Sequence, residues 1–239
     1  LVTGSADGLG RGAAQALLEQ GDDVVVHVRN GRRLEAVRDL LDRGAASVVG
    51  DLSDIAQTRG VADQANDLGQ MDAVIHNAAV LNGRDVLPVN VIAPYLLTAL
   101  IRRPARLVYL SSGMHRGGRD TLAEMDWSGR RATGSYSDSK LFVTAFAFGV
   151  ARRWTDVSSN AVDPGWVPTK MGGAGATDDL RLGHVTQVWL ATSDDPEART
   201  SGGYWFHQRR EEPARGVTDA RFQDELIEAL ARFTGTPLE

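Results

Sequence analysis

Thr3-Gly4-Ser5-Ala6-Asp7-Gly8-Leu9-Gly10 sets three glycines between a short apolar run, residues 1–3, and the helix-like pattern of residues 10–20. That placement gives the glycines meaning. A turn without side chains lets the backbone approach a phosphate, and the helix beyond it offers unpaired amides and a partial positive charge at its start. Strand, glycine turn and helix in this order predict a dinucleotide-binding βαβ unit.

Outward from this stretch, apolar β-rich runs at 23–28, 46–49, 71–76, 106–111, 157–162 and 203–207 join 1–3 to give about seven strands. Residues 10–20, 32–43, 54–68, 91–101, 136–153, 182–192 and 219–233 read as helices, several of them stopping beside Gly21, Gly44 and Gly69. The alternation predicts a doubly wound α/β fold, a parallel sheet with helices on both faces. No linker interrupts residues 1–239, so a single domain is expected.

Which dinucleotide binds depends on the end of the second strand, where a carboxylate would hold the ribose diol and an arginine would accommodate a 2′-phosphate. The chain there reads His27-Val28-Arg29-Asn30-Gly31-Arg32-Arg33, with three arginines and no acid. NADP is therefore expected, with NAD as the alternative, and Arg29 and Asn30 are the expected contacts. Asp7 in the glycine loop argues the other way, because a carboxylate there would repel a nearby phosphate.

A second signal lies at Tyr136-Ser137-Asp138-Ser139-Lys140. The chain has 26 lysines and arginines together, and only Lys140 and Lys170 are lysines. Arginine never titrates and presents a wide fork, whereas lysine is a compact charge that approaches one oxygen closely. Positions i and i+4 share a helix face, so Tyr136 and Lys140 can line one pocket. A free phenol titrates near 10, and working near neutrality requires lowering it by about 3 units, or roughly 4 kcal/mol. One ammonium at about 4 Å in an effective dielectric of about 20 supplies roughly that amount. Taken alone, the pair reads first as an exposed tyrosine and lysine on a solvated helix.

Taken with the glycine pattern, the pair resembles the short-chain dehydrogenase/reductase family, and the likeness runs along essentially the whole chain. The family's glycine motif matches Thr3, Gly4, Gly8 and Gly10, which implies cofactor contacts at Gly4, Ser5, Gly8, Leu9 and Gly10. Its adenine-contacting acid resembles Asp51, followed by Leu52, and its Asn-Ala segment resembles Asn77-Ala78. Its helix asparagine is similar to Asn90, its serine after the fifth strand to Ser112, and its Tyr-x-x-x-Lys to Tyr136 and Lys140. Its Pro-Gly turn against the nicotinamide resembles Pro164-Gly165, followed by Val167 and Thr169.

The resemblance implies a Rossmann-like fold and an NADP-preferring oxidoreductase interconverting a hydrophobic carbonyl compound and its alcohol. Tyr136 would pass the proton, Ser112 would hydrogen-bond the reacting oxygen, Lys140 would lower the phenol pKa and hold the nicotinamide ribose, and Asn90 would hold a relay water. Each residue has a plainer reading, with Ser112 in a simple turn and Asn90 capping the helix after it. The runner-up is a non-catalytic nucleotide-binding protein of the same fold. A third reading, an epimerase or dehydratase of the related extended family, is disfavoured because only 75 residues follow Pro164.

Several departures from the family pattern carry information. His76 stands where the family usually has asparagine, which leaves its role open. Only 12 residues lie between Asn77 and Asn90, and 21 between Asn90 and Ser112, so the intervening helix should be trimmed. That helix commonly forms the family's interface, which points to a monomer or dimer and leaves the usual tetramer open. Conversely, 23 residues lie between Ser112 and Tyr136, a long insert that resembles the retinol dehydrogenase-like and WW-domain oxidoreductase-like branches. This insert, near 113–133, would overhang the site with Met114, His115, Met125 and Trp127. A substrate loop near 164–182 adds Trp166 and Met171, and these apolar residues either wall the pocket or pack the loops.

Composition narrows the partners. The chain has 42% hydrophobic residues, 24% charged residues and a formal net charge of −5, with arginines scattered among acids. Neither nucleic acid nor anionic membrane is expected, and no run approaches the roughly 18 apolar residues of a membrane span. The absence of cysteine removes thiol chemistry, and five histidines without paired spacing predict no metal site. A cytoplasmic location is expected. The chain opens on Leu1 rather than a methionine, which leaves open what precedes it.

Overall fold

The computed structural model describes residues 1–239. Seven strands form: β1 (Val25–Val28), β2 (Ala46–Val49), β3 (Ala73–His76), β4 (Arg106–Leu110), β5 (Ser158–Asp163), β6 (Tyr204–Phe206) and β7 (Arg209–Glu211). Their identity differs from the expectation at both ends. Residues 1–3 do not make a strand of their own; Val2 alone bridges in parallel to Val26 on one side and Ile75 on the other. Through Val2 the β1–β2 pair joins the five-stranded run β3-β4-β5-β6-β7. All of these pairings are parallel except the last, where β7 returns antiparallel to β6.

The β6–β7 hairpin was not expected, and its turn explains why. His207 and Gln208 carry positive φ of 48° and 59°, a conformation in which glycine or asparagine is the usual marker. Neither residue announces a turn in the sequence.

Helices cover both faces of the sheet, so the fold is of the Rossmann type. On one face α1 (Gly8–Gln20), α2 (Arg38–Asp42) and α6 (Val185–Thr192) enclose a smaller apolar core that includes Val26, Ile75, Val108 and Val162. On the other, α3 (Ile55–Leu68), α4 (Ala93–Leu100), α5 (Tyr136–Arg153) and α8 (Ala220–Thr234) enclose the larger core. A four-residue helix, α7 (Arg215–Thr218), precedes α8. Strands covered on both faces need apolar residues at nearly every position, and β1 is buried along its whole length.

Two expected helices depart from regularity. Residues 32–43 split into a 3-10 segment, Gly31–Val37, and the short α2. Residues 91–101 begin instead with a π-helical segment, Pro88–Ile92, before α4. Asn90 therefore sits inside a helical segment and caps nothing.

Helix α5 carries the Tyr136/Lys140 pair and is anchored both at its start and along its buried face. Ser135 and Asp138 form a reciprocal capping box at its start. Beyond that, Phe142 and Phe146 are fully buried against the larger core, each contributing roughly 2–3 kcal/mol of apolar burial. No helix is long and apolar enough to cross a membrane.

Candidate functional site: a cleft at the switch point of the sheet

The chain leaves Val2, runs outward through β1 and β2, and then crosses back to β3 on the opposite side. The crevice beyond the strand ends at such a reversal is where open α/β sheets bind ligands. A cavity of about 570 Å³ opens there, within the ordinary range for cofactor pockets. The glycine loop forms one wall. Arg29 and Arg33 stand at one end of the cleft, Tyr136 and Lys140 at the other, and Thr169, Lys170 and Met171 descend from the 164–182 loop.

The glycine loop is built for close approach. Gly4 and Gly8 hold φ of 68° and 56°, the left-handed region that a side chain resists. At Gly10, a Cβ would collide with the side-chain nitrogen Nδ2 of Asn77. Asn77 in turn donates to the Thr3 carbonyl at 2.8 Å, which fastens the end of β3 to the loop.

From β1, His27 ties the same loop to the end of β2 through its two ring nitrogens. Nδ1 accepts from the Gly4 amide at 3.0 Å, and Nε2 donates to the Gly50 carbonyl at 2.8 Å. Burial lowers its pKa, which keeps the imidazole neutral and the accepting nitrogen free. This support was not anticipated, because a histidine in a strand carries no signal beyond its polarity.

Asp7, the expected obstacle to a phosphate, is already neutralised. Its Oδ2 receives Lys170 Nζ at 2.6 Å and Arg33 at 3.1 Å. Those two cations, missed among the expected contacts, line the cleft alongside Arg29. The first-turn amides of α1 receive no side-chain cap. A cradle with free amides and cations at its rim fits a dinucleotide.

Gly4, Gly8, Leu9, Arg29, Asp51 and Leu52 face the cleft as expected from sequence. So do Asn77, Tyr136, Lys140, Pro164 and Thr169. Others are set back from it. Ser5 is fully buried, its hydroxyl donating to the Val2 carbonyl at 2.5 Å and accepting from the His27 amide. Gly10 packs on Asn77, and Asn30 precedes the 3-10 segment outside the cleft. Gly165 holds a turn against Asp178, and Val167 is buried. Asp51 is engaged locally, its Oδ1 accepting from the Ser53 amide and hydroxyl.

At the Tyr136 end of the cleft, Ser112 caps the 3-10 segment Gly113–Gly117, its hydroxyl accepting from the Met114 amide at 3.2 Å. Burial pushes the Tyr136 phenol up to about 12, with the Ser112 hydroxyl opposing and the Asp163 carboxylate adding to the rise. Burial here outweighs the lowering expected from the lysine spacing. Lys140 donates to the Leu110 carbonyl at 2.6 Å and stands 5.4 Å from the Tyr136 ring centroid. Burial brings its own pKa down to about 8, with Asp163 opposing.

Asn90 is buried with its side chain fully engaged. Oδ1 accepts from the Val80 amide at 2.8 Å, while Nδ2 donates to the Val80 carbonyl and to Ser139 Oγ, both at 2.9 Å. It therefore ties the segment after β3 to α5, with both side-chain N–H groups committed to protein partners. His76 is buried too, stacked on Tyr109 at 4.6 Å and bonded to Thr98 at 3.2 Å. With a pKa pushed down to about 3 by burial, it is a neutral core residue.

The 113–133 insert differs most from expectation. Met125 and Trp127 pack on the larger core, with Trp127 against Phe142, and neither faces the cleft. His115 is buried, its Nδ1 donating to the Ser112 carbonyl and its Nε2 accepting from the Ala214 amide. Only Met171, among the residues proposed as an apolar wall, lines the cavity, while Met114 and Trp166 are exposed.

Fold and site together define a dinucleotide-binding α/β protein with a phenol and an ammonium at the far end of its cofactor cleft. A sequence profile of the family described as short chain dehydrogenase matches residues 1–101. The chain is 35% identical to the short-chain dehydrogenase chyC of Penicillium rubens, over 100% of this chain and 98% of that protein. Retinol dehydrogenase 13 of Mus musculus is 27% identical, over 98% of this chain and 83% of its own length.

Among solved structures, a protein of Mycobacterium paratuberculosis superposes with a TM-score of 0.79 at 24% identity, covering 99% of this chain and 93% of its own. A Burkholderia cenocepacia short chain dehydrogenase in complex with NADP superposes with a TM-score of 0.68 at 20% identity, covering 86% and 94%. This chain belongs to the short-chain dehydrogenase family, and its likeness extends to the retinol dehydrogenase-like branch. It is an NAD(P)-dependent oxidoreductase.

Proposed function

We infer that the protein is an NADP-preferring oxidoreductase, acting as one catalytic domain on a hydrophobic carbonyl compound or its alcohol. The observation that carries this reading is the arrangement of one cleft, with Arg29 and Arg33 at one end and Tyr136 with Lys140 at the other. A dinucleotide lying along it would put its 2′-phosphate among the arginines and its nicotinamide beside the phenol. The NADP found with the Burkholderia protein and the retinol in the name of the mouse relative support the same reading.

The nicotinamide, when bound, supplies or accepts the hydride. Tyr136, protonated at neutral pH, donates its proton to the carbonyl oxygen of a substrate, and the Ser112 hydroxyl steadies the charge developing on that oxygen. Lys140 keeps a positive charge beside the ring, which stabilises the phenolate left by that transfer until solvent returns the proton. Asn90 acts by position, holding the Val80 segment against α5. Met171 is the apolar contact that the substrate loop offers inside the cleft.

The test combines fluorescence titration of NADPH and NADH with a panel of hydrophobic aldehydes, ketones and alcohols followed by nicotinamide absorbance. Tighter NADPH and turnover of apolar substrates are expected. Equal affinities would remove the phosphate preference, and silence across the panel would favour a non-catalytic nucleotide-binding protein.

A further inference from the structure

Asp7 occupies the N-cap of α1 with extended backbone, φ −161° and ψ 179°, yet its side chain makes no cap hydrogen bond. Aspartate is among the preferred capping residues, and Asp54 and Asp219 in this chain cap α3 and α8 in the ordinary way. A capping carboxylate on α1 would occupy the amides that a diphosphate needs. Something therefore has to hold Asp7 away.

We propose that Lys170 and Arg33 hold the Asp7 carboxylate off the amino end of α1, keeping its amides open for the diphosphate of the dinucleotide. The inference rests on the cofactor reading above. Both cations bind the same oxygen, Oδ2, at 2.6 Å and 3.1 Å. They come from separate segments, Arg33 from the 3-10 segment after β1 and Lys170 from the 164–182 loop. The Lys170 hydrogen bond leads in holding the Asp7 carboxyl below its usual range, so it is an anion at neutral pH.

Two consequences follow from this geometry. Asp7 is a built-in competitor for the phosphate position, and Lys170 removes the competition only while the loop is docked on the glycine turn. Thr169 reports that docking, its methyl carbon lying 3.4 Å from where a side chain on Gly8 would begin. Opening of the loop would withdraw Lys170, return the carboxylate to the α1 amides and assist cofactor release. Loop position and cofactor affinity are thereby coupled through one side chain, and Lys170 is a positioning residue acting through Asp7.

The diphosphate is common to NADPH and NADH, so the effect should be the same for both, unlike any effect at the 2′-phosphate. The test is equilibrium titration of both dinucleotides, by nicotinamide fluorescence, with the full-length protein and the Lys170→Gln, Lys170→Arg and Asp7→Ala/Lys170→Gln variants. Lys170 is an exposed side chain, and a thermal melt of each variant checks folding. Lys170→Gln should weaken both dinucleotides by roughly five- to tenfold, as loss of a charge-assisted contact allows. Lys170→Arg should retain affinity, and the added Asp7→Ala should restore it to within about twofold, because the competing carboxylate is gone.

An Asp7→Ala/Lys170→Gln protein as weak as Lys170→Gln would overturn the proposal, since Lys170 would then act on the phosphate directly. Unchanged affinity in Lys170→Gln would overturn it as well. A parent that binds NADH more tightly removes the phosphate preference and leaves this comparison intact. A parent that binds neither overturns both.

Discussion

Lys140 donates its ammonium to the main-chain carbonyl of Leu110 at 2.6 Å, at the end of β4, and stands 5.4 Å from the ring centroid of Tyr136 one helical turn earlier. That bond partners a buried cation and fixes its distance from the phenol. A guanidinium at this position would keep the charge but spread it over a planar fork too wide for a single carbonyl. Lys140→Arg should accordingly lose turnover by about 10²-fold or more, despite conserving charge. Near-normal rates with any accepted substrate would remove the compact ammonium from the mechanism.

Tyr136→Phe deletes one oxygen at the Lys140 end of the cleft while leaving the glycine loop and arginine end untouched. Turnover should fall by about 10²- to 10⁴-fold, the usual worth of a positioned proton donor. The dissociation constant for NADPH should change by less than about threefold, since one peripheral contact is removed. Retained turnover would exclude Tyr136 as the proton donor.

Asp163 faces the same pair from the end of β5. Its carboxylate accepts from the Gly165 amide and from the Tyr204 hydroxyl, both at 3.0 Å, and raises both Tyr136 and Lys140. Removing its charge in Asp163→Asn should lower both values. The alkaline limb of the pH–rate profile should therefore move toward lower pH. A profile that superposes on the parent's would show that this carboxylate only holds the Pro164-Gly165 turn.

The glycine turn, the tyrosine–lysine spacing and the central strands were legible because each carries a local signature: missing side chains, a one-turn offset or a continuous apolar run. What escaped depended on distance or on unusual backbone. Lys170 meets Asp7 across 163 residues, and no local pattern announces that meeting. The β6–β7 turn uses His207 and Gln208 where glycine is the usual sign, and the π-helical turn at Asn90 has no compositional marker. Trp127 looked equally suited to wall a pocket or fill a core, and packing against Phe142 decided the matter.

Asp138 ties the insert to the start of α5, accepting from the Ser135 amide, the Arg119 amide and the Arg119 guanidinium. Burial would raise its pKa, but these hydrogen bonds prevail and bring it from 3.8 to about 2. The folded state thus binds fewer protons than the unfolded one between about 4 and 2. Its contribution, about 2 kcal/mol for 1.8 units, is present above that window and lost as pH falls through it. Asp138→Asn should flatten the stability slope in urea titrations between pH 4 and 2. An unchanged slope would show that other carboxylates carry the acid response.

Lys140 also makes stability rise with pH, but here folding penalises the charged form instead of favouring it, which separates its function from its structural effect. Burial lowers its pKa from 10.5 to about 8, so between those values the unfolded chain binds the extra proton. Stability therefore rises with pH across that window, and the full penalty applies below pH 8. The shift of 2.5 units corresponds to about 3 kcal/mol, reduced in practice because removing the ammonium also leaves the Leu110 carbonyl without its partner. Lys140→Met should thus be more stable than the parent at pH 7 by about 1–3 kcal/mol, while losing turnover. Urea unfolding at pH 7 and pH 10 checks this, with the advantage shrinking toward the higher pH as the parent's lysine deprotonates. A variant less stable than the parent at pH 7, or an advantage independent of pH, would mean that the buried ammonium is held at no cost to the fold.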